Sequence, residues 1–351
     1  MNRRSVLRTA GVLGVSSLAG CSGLFETRTM ARAPPLVKNR PDAVYIPTHK
    51  EGMEMAGMAK QGRYRLALFY SYPHRFWLMG GGTAKQEKKV TIKDADDLHL
   101  MASVWDSKTK TVLPTGNVQA ELSNGDWSDR RTLWPMLSQN MGFHFGDNIG
   151  LNGEGKYTAK IRVSGLDVRR TGALAGQFGD GATLTTEFEF EKDTVEQISY
   201  EKLDARKGQK DAIQPMEMNM PMSHVSQTSD LPGRLVGEES SGDAKFPVAA
   251  VENSDFAEDT YLLVSPRTPY RRYPIPNMSL SATLKRDGET VFDDVLNATL
   301  DPDVGLHYGA NVPSVRTGDE LTVRVDSPPI VSRHEGYETA FLKMPKMRFS
   351  V

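Results

Sequence analysis

The chain has a single cysteine in 351 residues, Cys21, so no disulfide can form within it. Its 43 Lys and Arg stand against 44 Asp and Glu, a formal net charge of -1. That balance removes the basic footprint expected of a nucleic-acid binder. No apolar run approaches the ~20 residues that span a bilayer, so a permanent transmembrane helix is not expected. Neither a Gly-x-Ser-x-Gly elbow, a phosphate loop nor a Cys-His pair is present. Seven histidines are few for a copper oxidase, and the chain is read as a non-enzyme. Stability must come from burial, strand pairing and any bound metal. What is abundant is methionine, with sixteen residues, several of them clustered.

The N-terminus carries the pattern of an export signal. Arg3-Arg4 opens a basic segment, a short apolar stretch runs from Ala10 to Ala19, and Leu18-Ala19-Gly20-Cys21 closes it. A positive n-region, a short h-region and a small-residue exit are what export requires. The paired arginines resemble a Tat signal and the ending resembles a lipobox, which makes Cys21 the lipidation site. The expected location is the extracytoplasmic face of the cell membrane, held by a lipid anchor. The alternative is a buried N-terminal helix with an incidental cysteine.

Beyond residues 1–21, the polar, Pro-ending stretch 22–41 reads as a flexible tether. Short alternating runs then dominate, among them Tyr157 to Val163, Thr186 to Phe190 and Leu321 to Val325. Period two with one apolar face is the signature of a half-buried strand. Frequent Gly, Asn, Asp and Pro between the runs suit a sandwich of antiparallel sheets. Only Asp193 to Lys210 looks helical, with Thr194-Val195-Glu196-Gln197 fitting a capping box. The expectation is an all-β chain with a first domain at 42–191, a linker at 192–231 that is helical or irregular and holds a Met-rich segment, and a second domain at 232–351.

The two domains read as copies. Gly142-Phe143-His144-Phe145-Gly146-Asp147-Asn148 has a partner in Gly305-Leu306-His307-Tyr308-Gly309-Ala310-Asn311, 163 residues on. Residues 42–90 precede the first copy and have no evident counterpart before the second. In the shared motif, glycines allow a sharp turn or a close approach. The asparagine suits turn amides, and the histidine is held between them. That histidine either bonds its own turn or ligates an ion.

Copy one adds His99 and Met101, which share a strand face, and Met136 and Met141 just before His144. Imidazole with thioether is a soft, borderline ligand set suited to copper, whereas imidazole alone suits iron or zinc. The metal candidates are therefore His99, Met101, Met136, Met141 and His144, with core packing the alternative for each methionine. At the 163-residue offset, copy two has Leu262, Val264 and Val304 at the corresponding places. It has instead His334-Glu335, which could join His307. Two further methionine runs stand out. Met216, Met218, Met220 and Met222 alternate with polar residues ahead of His224, and Gly52 to Met58 is similar in kind. Each is a thioether stripe or the packed face of an edge strand.

The run Asp97-Leu98-His99-Leu100-Met101-Ala102, with Trp134-Pro135-Met136 and the His144 motif, resembles the periplasmic Ig-like iron- and copper-binding family known as Fe2+ transport proteins. The resemblance covers the central part of each domain and implies two Ig-like antiparallel β-sandwich domains in tandem. It also implies a copper site in which His99, Met136 and His144 match family ligands in kind. Met101 stands where the family has a carboxylate, which makes the site softer. The family's His-rich loop corresponds to Arg333-His334-Glu335 in copy two and to Arg169-Arg170-Thr171 in copy one. The whole layout, with lipobox and duplication, resembles surface lipoproteins of salt-loving archaea.

The reading that follows is a lipid-anchored protein capturing an iron or copper ion for uptake through a metal permease. Whether two chains share a site, as a homodimer, is left open. The competing reading is an Ig-like surface module whose His-Gly turns are structural and which binds a protein or glycan.

Overall fold

The computed structural model describes residues 34–80, 87–114, 116–252 and 256–351. Cys21, the signal segment and residues 22–33 lie outside them. Two antiparallel, Ig-like β-sandwich bodies stand in tandem. In the first, the main path runs through strands Ala182–Phe190, Gly155–Val163, Val118–Asn124, Trp127–Ser138, Gly142–Ile149, Leu98–Asp106, Tyr64–Ser71 and Glu54–Gln61. The sheet curls until Gly57, on its last strand, lies against Thr186 on its first. The second body repeats this as Arg234–Ser241, Ala244–Val251, Thr260–Val264, Gly305–Val312, Glu289–Asp301, Ser279–Arg286, Glu320–Ser327 and Met347–Ser350. Among the described residues no helix is long and apolar enough to cross a membrane.

Alternation decides which strands have one wet face. In Gly155–Val163 the residues Tyr157, Ala159, Ile161 and Val163 are buried and the intervening ones are not. Each large apolar side chain so buried contributes roughly 1.5–3 kcal/mol. Leu98–Asp106 is different, being buried along its whole length. Leu98, Leu100, Ala102 and Val104 enter the main core. His99, Met101 and Trp105 point the other way, and that second face is covered by the interdomain segment and by copy two.

Four expectations need correction. Residues 42–90 do have a counterpart. The hairpin Glu54–Gln61/Tyr64–Ser71 matches Arg234–Ser241/Ala244–Val251, and the register slips at equivalent places, Met55/Gly57 and Leu235/Gly237. The apolar content differs between the two, which hid the match. The expected long helix shrinks to Lys192–Gln197, with no side-chain cap. The chain then extends as Tyr200–Lys202, which pairs with His49–Glu51, so strand pairing overrides helix propensity there. The end of the tether is docked rather than free, since Arg40 forms an ion pair with buried Glu338 at 2.7 Å.

The fourth correction concerns domain contiguity. The short strand Ser332–Arg333, from copy two, pairs in parallel with Met136 and Leu137 of copy one. Reciprocally, Arg169–Arg170 of copy one pairs in parallel with Thr299 and Leu300 of copy two. Each copy thus lends its partner the loop between the last two strands of its own sheet.

Candidate metal centre

Three imidazoles, from His74, His99 and His334, bring ligand atoms within 4.8 Å of one another. The His74 and His99 rings lie 4.0 Å apart between centroids, and His334 lies 4.7 Å from His74 and 5.5 Å from His99. A fourth, His144, sits 5.2 Å from His334. Met136 closes the group. A Cβ placed on Gly146 would be 2.9 Å from His99 Nε2 and 3.2 Å from Met136 Sδ, so both atoms border one point that only glycine leaves open.

Local structure explains how each side chain arrives. His99 lies on Leu98–Asp106, opposite Asn148 in the register, and His144 lies opposite Met136. The first motif glycine, Gly142, takes φ 71, so it makes the turn. The second, Gly146, makes the close approach. His74 leaves the end of strand Tyr64–Ser71 beyond Pro73. His334 is delivered by the exchanged strand, with its amide bonded to the Leu137 carbonyl at 3.1 Å.

The imidazoles are oriented from behind. His99 Nδ1 donates to Asn148 Oδ1 at 2.8 Å, and Asn148 Nδ2 donates to the His74 carbonyl at 2.8 Å. The motif asparagine therefore fixes two histidines rather than its own turn amides. His144 Nδ1 donates to the Gly142 carbonyl at 3.1 Å. His74 Nδ1 faces the Tyr72 carbonyl at 3.2 Å and Glu51 Oε2 at 3.0 Å. With Nδ1 carrying the proton in neutral His99 and His144, Nε2 of each presents a lone pair. The Nε2 atoms of His74, His99, His144 and His334 are all buried without a hydrogen-bond partner. Other buried polar atoms among the described residues share that lack, but only here do four imidazole nitrogens gather.

Electrostatics keep the set ready to ligate. Burial pushes His144 down to about 4, against the bond to Gly142, with His74 adding to the fall. Burial, reinforced by the other histidines, holds His99 and His334 well below the ordinary imidazole value. These rings are neutral at pH 7, the form a metal needs. Burial opposes the charge on Glu51, but His74 and His49 together keep its carboxyl below the usual range. A carboxylate behind a ligating imidazole raises its basicity as a ligand.

The loop that carries His334 is itself pinned. Glu335 accepts from the Thr48 amide and hydroxyl, both at 3.1 Å, and pairs with Arg75 at 2.9 Å. Glu338 accepts from Tyr45 and Arg40. Gly336 has φ 96, and a Cβ there would come within 2.5 Å of the Tyr45 carbonyl.

The remaining candidates fall elsewhere. Met101 and Met141 are buried in a neighbouring apolar cluster, against which Met218 and Met220 pack. Met216 is half-buried nearby, Met222 packs on the main core, and His224 is exposed with Nδ1 on the Arg271 carbonyl at 2.8 Å. His334 does not join His307, and Glu335 is engaged by Thr48 and Arg75. His307 stands in copy two, edge-on to Phe256 and Tyr261. His74 was missed because one histidine in a Pro-flanked turn carries no periodic signal. Its position just past the apolar strand Tyr64–Ser71 was the available clue.

A domain family of unknown function, DUF7350, matches residues 229–350. No curated protein matches the chain. Among solved structures, a copper-bound variant of FetP from uropathogenic Escherichia coli strain F11 aligns at TM-score 0.31 and 18% identity, over 40% of this chain and 92% of that one. Copper-reconstituted P19 from Campylobacter jejuni aligns at TM-score 0.28 and 20% identity, over 40% and 95%. Overlap of that extent says nothing of metal or mechanism here, which must rest on this chain's own residues.

Proposed function

We propose that the protein is an extracytoplasmic metal-binding lipoprotein, anchored through Cys21, that captures a transition-metal ion and passes it to a membrane permease. The ligands are His74, His99, His144 and His334, with Met136 as a soft fifth. The observation that carries this is the gathering of four buried, unpartnered Nε2 atoms, three of them on rings whose Nδ1 is engaged by an oxygen acceptor. A buried polar atom left without a partner costs about 1–3 kcal/mol, so four together need a ligand to balance them.

The ion is cargo, and the residues' task is to bind it reversibly. Three atoms within 4.8 Å of one another can share a point no more than about 2.8 Å from each, so metal-nitrogen bonds near 2.1 Å need inward shifts of roughly 0.7 Å. Imidazoles plus a thioether, with no carboxylate among them, favour copper over iron. Glu51 backs His74, and the Glu335 and Glu338 contacts hold His334 in reach. Capture therefore requires both copies of the fold.

The test is metal analysis of untagged protein beside the double variant His99→Ala, His144→Ala. About one copper per chain in the wild type and close to none in the variant is expected. Negligible copper and iron in both proteins would refute the proposal.

A further inference from the structure

Beside the imidazoles, on the same sheet face, five methionines from four separate segments meet. Met101 and Met141 are buried with Phe69, Trp105 and Val112, and Met53, Met218 and Met220, partly buried, pack on them. Met101 lies two residues from His99 on one strand, which places it about 7 Å along the face. Met53, Met101 and Met141 line one pocket of about 50 Å³ together with His74 and His334. Three of the five methionines and two of the four imidazoles thus border one pocket.

The interdomain segment is fastened over this spot on both sides of its methionine stripe. Ile213 donates its amide to Gln139 Oε1 at 2.9 Å and Met216 to the Asn140 carbonyl at 2.9 Å. Beyond the stripe, Ser223 Oγ accepts from the Phe143 amide at 3.0 Å. Met218 and Met220 are held against the turn bearing Met141. Leu or Ile would bury the same area without the liability to sulfoxide formation.

We infer that Met53, Met101, Met141, Met218 and Met220 form a second, thioether site that takes a soft monovalent cation, copper(I), beside the imidazole site. Thioethers select copper(I) over divalent iron or zinc. Shared lining of one pocket makes it a neighbour from which an ion can pass to the imidazoles, not an obligatory step. No change of oxidation state is part of the proposal. It rests on the imidazole site as the destination, but its own site is tested separately.

The probe is silver(I), a redox-inert cation of the same softness, added to the full chain with 13C-labelled methionine methyls. Three proteins are compared: wild type, His99→Ala/His144→Ala, and Met53→Leu/Met218→Leu/Met220→Leu, whose replacements sit at partly buried positions and conserve bulk. Silver should shift the methyls of the five methionines in the wild type and equally in the histidine variant. In the leucine variant silver affinity should fall roughly tenfold or more, while copper(II) uptake at the imidazoles stays unchanged. Unshifted methyls in the wild type, undiminished silver affinity in the leucine variant, or loss of the methyl shifts in the histidine variant would each overturn the inference. Failure of the imidazole site reads out differently, as absent copper(II) uptake by the wild type.

Discussion

The two copies fold alike, yet one gathers four unpartnered imidazoles and the other keeps a single one, His307, among tyrosine, threonine and aspartate groups that bond one another. The cross-strand register makes the correspondence. His99 opposes Asn148 and Tyr261 opposes Asn311, so Tyr261 stands in the place of His99. Met136 opposes His144 and Thr299 opposes His307, so Thr299 replaces Met136. Ser332 pairs with Met136 and Arg169 with Thr299, so Thr171 replaces His334. In copy two Tyr261 and Thr299 share a hydrogen bond at 3.2 Å, and Thr171 donates to Asp301 at 2.7 Å. The Arg169 guanidinium lies over the Tyr261 ring at 5.6 Å. Only His307 persists, with Nδ1 on the Gly305 carbonyl at 3.0 Å. Copy two contributes the His334 loop to its neighbour and receives in return a loop with a threonine at the corresponding place. The exchanged loop that copy two receives, Arg169-Arg170-Thr171, carries no histidine.

The sharpest way to break this comparison is to remove one histidine from copy two at a time. His334→Ala and His99→Ala should each lower copper affinity by about one to two orders of magnitude, whereas His307→Ala should leave it unchanged. Competition titration against a copper chelator reads this directly. Loss of affinity in His307→Ala alone would reverse the assignment.

The paired glycines give the next effect. A Cβ at Gly309 would overlap the Tyr261 ring and come within 2.6 Å of the Leu262 carbonyl, so Gly309→Ala should destabilise by about 2 kcal/mol. Gly146→Ala would instead press on His99 Nε2 and Met136 Sδ. Its main effect should be weaker copper binding, with the smaller loss of stability in denaturant titration. Equal stability losses with unchanged copper binding in both would erase the distinction.

What the copies share should be visible in acid. Burial pushes His144 and His307 alike down to about 4, with each ring's bond to a glycine carbonyl opposing the fall. Between pH ~6.5 and ~4 the unfolded chain takes up these protons and the folded chain does not. Metal-free protein should therefore be most stable above pH ~6.5 and lose up to about 3 kcal/mol per histidine by pH 4. Urea midpoints at pH 7 and 5 check the sign, and His307→Gln should flatten part of the slope.

Much of the site was legible before folding was considered. His99 and Met101 stand two apart in an alternating run, and the motif around His144 and His307 repeats, so residues on one strand face announce themselves by period. His74 and His334 do not, because each reaches the site from a turn or an exchanged strand whose destination depends on contacts hundreds of positions apart. A fixed offset of 163 residues also misassigned Leu262 to the place of His99. One residue of slip between the copies, on a strand, turns a side chain to the opposite face.

By itself the sequence determined an all-β chain in two copies, with a soft ligand set concentrated in the first, because strand period and residue chemistry are local properties. Tertiary structure alone decided that the second copy completes the first. Which loop crosses to which sheet depends on parallel pairing at Met136 and Thr299 and on buried pairs such as Arg40 with Glu338. Those contacts join residues up to 298 positions apart, and no local pattern encodes them.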